Sequence, residues 1–350
     1  MIKIQGASEL AQHIYYEYDK NSFPLGEGGM GKVYEGYCCR EDNPEERLPV
    51  AIKHMTTITK ELIDRAMREA SIQIDHPNLL RMYGFIPNME FDQYVNGLKP
   101  EYYIVMERLV GVSLDALIDG IRIDASGMNI EYAQTLYSKY QTNRDEFVKE
   151  VMSSVFQGVK TLHDMGVVHR DIDPSNVMIT RDGNIKLIDF GVSKVVSSNV
   201  ATSKGTQHGS LIGKLDYGAP EIVSGDVEHH SYTTDIYALG IMLYQLYVGE
   251  LPFQGDSSHV MQAQLTKLVP VEKISNRKMQ QVVAKATRKE QSERYQSMNE
   301  FIADFERAFT QDPIPQWESE SDKESGLQPW HYAAVCVIGL LVGILIRLLL

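Results

Sequence analysis

Within eight residues, His169 to Asn176, the run Val168-His169-Arg170-Asp171-Ile172-Asp173-Pro174-Ser175-Asn176 places an imidazole, a carboxylate and an amide. A carboxylate can accept or orient a proton, and an amide oxygen can face a cation. A second acid stands thirteen residues beyond Asn176, in Asp189-Phe190-Gly191. Far upstream, Gly26, Gly28 and Gly31 keep a G-x-G-x-x-G spacing inside Phe23 to Gly36. A turn without side chains lets backbone N–H groups approach phosphate oxygens. The same spacing serves dinucleotide-binding folds, which need a helix to open there and an acid about twenty residues on. Here a strand-like Val33-Tyr34 follows, so the context favours a strand-turn-strand lid over a nucleotide. Lys53 closes the alternating run Leu48-Pro49-Val50-Ala51-Ile52-Lys53, which sets Ala51 and Lys53 on one face of a strand.

The elements that must hold these groups are readable from periodicity. Lys60 to Ile74 carries apolar residues at Leu62, Ile63, Ala66, Met67, Ala70 and Ile74, a helical stripe with Thr59 as its N-cap. Glu69, seven residues from Leu62, falls at the edge of that stripe, where a carboxylate needs a partner. Tyr102 to Leu109 reads as a buried strand running into a polar connection, and residues 119–144 as a helical insertion. Phe147, Val148, Val151, Met152, Val155, Phe156, Val159 and Leu162 keep helical spacing through a long buried helix ending near Gly166, which delivers the chain to Val168.

Composition bounds the rest. A chain of 350 residues with 43% hydrophobic and 23% charged residues is globular, with room for two core-forming units and a tail. A net charge of -13, from 34 basic and 47 acidic residues, argues against nucleic acid as a partner. Cys38, Cys39 and Cys336 show no metal-ligand spacing, which fits a reducing cytosol, and Cys38-Cys39 read as ordinary strand-end residues. The start of the chain lacks the basic and apolar regions of a secretory signal. From Tyr332 to Leu350 the chain is apolar or small except for Arg347, and its nineteen residues would make a helix of roughly 28 Å, close to the hydrocarbon thickness of a bilayer.

From Gly26 to Phe309 the chain closely resembles a protein kinase, and more specifically the Ser/Thr protein kinases of prokaryotic type. The resemblance implies an α+β, two-lobed fold with a small β-rich N-lobe and a larger helical C-lobe, joined to a C-terminal transmembrane helix. The expected divisions are an extension over 1–19, a kinase domain over 20–310 (N-lobe 20–108, C-lobe 109–310), a linker over 311–329 and a membrane helix over 330–350. It also implies the roles. Asp171 would accept the proton of the substrate hydroxyl. Asn176 and Asp189 would bind Mg2+, or Mn2+ in its place. Lys53, paired with Glu69, would hold the α- and β-phosphates of ATP. Gly26, Gly28, Gly31, Val33, Ala51 and backbone groups of Glu107 and Leu109 would surround the nucleotide, with Met106 as gatekeeper and Asp115 a weak candidate for the ribose. His169 and Arg170 would fix the loop, Asp235 would hold its backbone, and Glu221 would pair with Arg294.

Two positions depart from the family pattern. Asp173 stands where Ser/Thr kinases usually carry lysine, and Lys214 where they usually carry threonine. These side chains meet beside the catalytic acid in the family, so Lys214 is expected to reach into the site, pair with Asp173 and face phosphate in place of the missing lysine. The departures touch the usual markers of Ser/Thr over Tyr specificity, which Ala219-Pro220-Glu221 and the overall resemblance still favour. Ser210, among the hydroxyls of the segment from Asp189 to Glu221, occupies a position often phosphorylated in the family, where its phosphate would pair with Arg170; solvated loop hydroxyls are the plain alternative. Three functions compete: an active kinase acting on proteins, a pseudokinase scaffold resting on Asp173 and Lys214, and a small-molecule phosphotransferase. The expected setting is a single-pass anchor in the cell membrane with the kinase domain in the cytoplasm, with protein substrates and a homodimer for trans-autophosphorylation as partners. A buried helix of a soluble fold is the other reading of the apolar run.

Overall fold

The computed structural model describes residues 1–28, 31–56, 59–71, 74–92, 97–189 and 215–310. The first part of the chain builds a sheet. Its elements are β1 (Ile2–Ile4), α1 (Ala7–Ala11), β2 (Ile14–Tyr18), β3 (Gly26–Gly28), β4 (Gly31–Arg40), β5 (Arg47–Met55), α2 (Lys60–Ser71), β6 (Met82–Asp92) and β7 (Gly97–Glu107). The seven strands pair antiparallel in the order β1-β2-β4-β5-β7-β6, with β3 also on β4. Period-two alternation splits β5 between two cores. Val50 and Ile52 join Tyr34, Tyr103 and Val105 on one side, and Ala51 and Met55 face the main core on the other.

Residues 1–19, expected as an extension, are built into this sheet. Ile14 to Tyr18 pair with Arg40 to Gly36 of β4, and Ile4, Tyr16 and Tyr18 are buried in the outer core. The sheet curls far enough for the segment after β1 to touch the opposite edge: a Cβ on Gly6 would lie 3.3 Å from Ile86 of β6. The packed unit therefore runs from Met1 to Phe309.

The C-lobe contains β8 (Gly111–Ser113), α3 (Leu114–Ile118), α4 (Glu131–Thr142), α5 (Arg144–Asp164), β9 (Val177–Thr180), β10 (Ile185–Leu187), α6 (Pro220–Val223), α7 (Tyr232–Val248), α8 (Ser257–Thr266), α9 (Arg277–Ala286) and α10 (Met298–Arg307). The expected α+β, two-lobed architecture is the one observed. Every apolar residue of the α5 stripe is buried at 0–1% exposure, each such side chain adding about 1.5–3 kcal/mol of burial. The expected insertion contains α4, whose Ala133, Leu136 and Tyr140 face the core, after a turn closed by the Ile123–Asn129 bridge. Thr59 does cap α2, accepting from the Leu62 N–H at 3.3 Å. Met67 departs from its expected place in the stripe: it is 51% exposed, because Ala66 and Ala70 take the buried positions and the helix ends at Ser71.

Among the described residues no helix is long and apolar enough to cross a membrane. The linker over 311–329 and the apolar run over 330–350 lie outside the described residues, as do Ser210 and Lys214.

Candidate active site

A hairpin positions the two metal-ligand candidates. β9 and β10 pair with Val177 opposite Leu187, and the ladder continues one step as the Ile188 N–H donates to the Asn176 carbonyl at 2.8 Å. Antiparallel register thus places Asn176, just before β9, next to Asp189, just after β10. Gly183 makes the reversal possible, with φ 83° between Thr180 and Asn184, which pair at 2.8 Å.

The catalytic loop is held from beneath. Asp235 of α7, 1% exposed, accepts the backbone N–H of His169 through Oδ2 and that of Arg170 through Oδ1, each at 2.8 Å, and lies 2.8 Å from His163 Nε2. Three bonds to one carboxylate fix a turn that local sequence would not choose. Arg170 adopts φ 66° and Asp189 φ 51°, left-handed conformations that cost about 1–3 kcal/mol each for residues other than glycine. Burial lowers the pKa of His169 against the opposing pull of Asp235 and Asp171. Its neutral ring then accepts the Asp171 N–H on Nδ1, at 3.3 Å.

Asn176 Nδ2 donates to the Asp171 carbonyl at 2.7 Å. That bond engages one amide N–H, and Asn176 lines the cleft, so its Oδ1 is the group suited to meet a cation there. An amide oxygen beside the Asp189 carboxylate is a hard donor pair of the kind Mg2+ takes, so the residues fit the ion the family implies. Asp173, 6% exposed, accepts from the Ser175 N–H at 2.7 Å and from the Ser175 hydroxyl, capping the turn Pro174–Asn176. Its first identifiable task is therefore to shape the turn that carries Asn176. The expected Asp173–Lys214 pairing falls on a residue outside those described.

The cleft between the lobes has a volume of about 430 Å³. Gly26, Gly28, Gly31, Val33, Ala51, Lys53, Glu107 and Leu109 all line it, together with Met106, Asn176 and Asp189. The three glycines differ. A Cβ on Gly31 would collide with the His54 carbonyl, whereas Gly26 and Gly28 have open space around them. Packing forces Gly31, while Gly26 and Gly28 leave room for a ligand's phosphates. Lys53 Nζ lies 3.6 Å from Asp189 Oδ1. Glu69 lies on α2, its side chain outside the described residues. Asp115 is not part of the cleft lining.

Leu25, Leu80, Met178 and Ile188 also line the cleft, giving apolar walls from both lobes that suit a planar base. Met178 and Ile188 stand one or two places from recognised site residues, and that adjacency was the only sequence signal for them. The Glu107 side chain was missed as well. Its Oε1 accepts from Lys186 Nζ of β10 and from the Arg81 N–H, both at 2.7 Å, while Lys186 also donates to the Leu79 carbonyl at 3.1 Å. The Glu107 N–H is itself engaged by the Arg81 carbonyl at 2.9 Å.

Away from the cleft, Glu221 and Arg294 form the expected pair in bidentate geometry, at 2.8 and 2.9 Å. Arg294 is 2% exposed and also donates to the carbonyls of Thr233, Arg288 and Lys289.

Residues 20–308 match the model of the protein kinase domain family. Among curated proteins, serine/threonine-protein kinase PrkC of Bacillus subtilis is 31% identical over 300 residues, covering 83% of this chain and 40% of the relative. The probable serine/threonine-protein kinase PknB of Lactococcus lactis is 29% identical over 290 residues, covering 80% and 40%. The chain thus spans 40% of the length of either relative.

Proposed function

The chain belongs to the protein kinase domain family, and from that premise we propose that it transfers the terminal phosphoryl group of ATP to Ser and Thr hydroxyls of proteins. The observation that carries the reading is one juxtaposition: the β9–β10 hairpin and β5 bring Asn176, Asp189 and Lys53 into a single apolar-walled cleft, and Asn176 is bonded to the backbone of Asp171. Phosphoryl transfer asks for position and charge more than for covalent help. Lys53 meets the phosphates, and Asp171 takes the proton of the attacking hydroxyl. Asn176 and Asp189 hold the divalent ion, which when bound neutralises phosphate charge.

Finer parts of the reading go with it. Lys214 faces phosphate from beside Asp173. Phosphorylated Ser210 docks on Arg170 and orders its segment, and a homodimer performs that phosphorylation in trans. The run over 330–350 anchors the chain in the cell membrane with the kinase domain in the cytoplasm. Incubating the full chain with Mg-ATP and a protein substrate, with Asp171→Ala as control and phosphosites mapped, tests the core claim. Transfer to Ser and Thr that vanishes in the control supports it, and absence of transfer from the unmodified chain removes it. Lys214→Thr with undiminished kcat/KM would remove the relocated charge, where a loss of about 10²-fold is expected. Retained activity in Ser210→Ala would remove the switch.

A further inference from the structure

We propose that the turn over residues 120–130 is a lipid-contacting element that seats the kinase unit on the surface of a phospholipid bilayer. The inference rests on the reading of 330–350 as a membrane anchor and adds a second point of contact.

The turn belongs to the insertion that precedes α4, and three of its apolar residues stay outside the core. Ile121, Ile123 and Met128 are 48%, 44% and 54% exposed. One exposed apolar side chain on a folded surface calls for no explanation, but three within eight residues of a single turn form a local concentration that water does not favour. Their surroundings are nearly uncharged. Arg122 is the one exposed charge over 120–130, because Asp124 is buried and takes Arg181 as its partner. The connection between β4 and β5 is built the other way, exposing Glu41, Asp42, Glu45 and Glu46. In a chain with net charge -13, an apolar tip bearing a single cation is the part of the surface suited to the boundary between lipid headgroups and acyl chains.

The tip is braced from within. Asp124 Oδ1 accepts the Ser126 N–H at 2.9 Å and the Met128 N–H at 3.0 Å, and the Asp124 N–H donates to the Met128 carbonyl at 2.9 Å. Ile123 bridges to Asn129, and the Ile130 N–H donates to the Arg122 carbonyl at 3.0 Å. Arg181, which holds Asp124, stands on the same β9–β10 turn that sets Asn176 beside Asp189. Apolar side chains carried on a fixed backbone lose less freedom when they meet a partner. The turn also leads toward the point where the chain leaves the packed unit. Tyr132, just beyond it, donates to Glu150 of α5 at 2.9 Å, and the adjacent Lys149 Nζ lies 5.7 Å from the ring of Phe309, the last residue of that unit. As a flexible coil, residues 311–329 would span about 25 Å, so a bilayer that takes up 330–350 is within reach of the turn.

The test uses the full chain reconstituted with vesicles of phosphatidylcholine and phosphatidylglycerol that contain a phospholipid with a photoactivatable diazirine in its acyl chain. After illumination, lipid adducts are mapped by mass spectrometry. Adducts on 120–130 are expected about tenfold above those on the peptides that carry Leu48 and Leu268, exposed apolar residues elsewhere on the surface. In the variant Ile121→Asp with Ile123→Asp, adducts on the rest of the turn should fall to that background. Adducts confined to 330–350 in the unmodified chain overturn the proposal, even if the variant does not fold. Persistence of turn adducts in a folded variant overturns it too. Adducts on the turn without any on 330–350 would keep the proposal and remove the anchor reading, and adducts on neither would remove both, so the two failures are distinguishable.

Discussion

Two ion pairs in this molecule are built to opposite specifications. Glu221 and Arg294 are both almost fully buried, bidentate, and supplemented by Thr234 and three backbone carbonyls. Lys53 and Asp189 meet through one 3.6 Å contact, and the Asp189 side chain is 51% exposed. The first pair is complete within the protein and can only be structural. Among the described residues the second makes a single contact, which suits members that the proposed function sets against charged ligands.

Asp189→Asn should show the difference most strongly. Asparagine tolerates the left-handed backbone at that position, so kcat/KM for phosphoryl transfer is expected to fall about 10³-fold, with the thermal midpoint within about 2 °C of the unmodified protein. A large drop in midpoint would mean that the loose pair is structural after all. Arg294→Met should do the reverse. Leaving Glu221 buried and unpaired is expected to cost about 3–5 kcal/mol in urea unfolding, with activity per folded molecule retained at low temperature.

The Glu107–Lys186 contact tests the middle ground, since it lies at the cleft edge yet is well bonded. Lys186→Met is expected to cost about 1–2 kcal/mol of stability, and to shift KM for ATP several-fold through the hinge. A change in only one of the two readouts would assign the contact to one class.

The smallest effect concerns Lys289, a saturated cation like Arg294 but one able to lose its proton. Burial, the main cause, with help from the charge of Arg294, lowers its pKa from 10.5 to about 8. Between those values the unfolded chain keeps a proton that the folded chain has shed, so stability rises with pH across that window and levels off on either side. Unfolding free energies of Lys289→Met measured from pH 8 to 10.5 should rise less steeply than those of the unmodified protein.

The sequence made some of this legible and hid the rest for identifiable reasons. The α5 stripe, the Thr59 cap and the alternation of β5 are local patterns, each carried within a window of a few turns, and they reappear in the structure. Met67 was misplaced because a helical stripe does not say which of its members reaches the core once two alanines bring the helix close. The strands over 2–18 carried no signal for their partner, since pairing with β4 is decided by a sheet that curls back on itself.

What the sequence determined by itself was the identity and order of the reactive groups, because Asp171, Asn176, Asp189 and Lys53 are recognisable from type and spacing. Only the tertiary structure decided how those groups are held: that Asn176 donates an amide N–H to the Asp171 carbonyl, that Asp173 caps a turn, and that Glu107 clasps Lys186 from 79 positions away. Spacing along a chain fixes neighbours within a helix or a strand. Contacts between residues far apart exist only once the folded backbone has closed the intervening loop, and no local window records that closure.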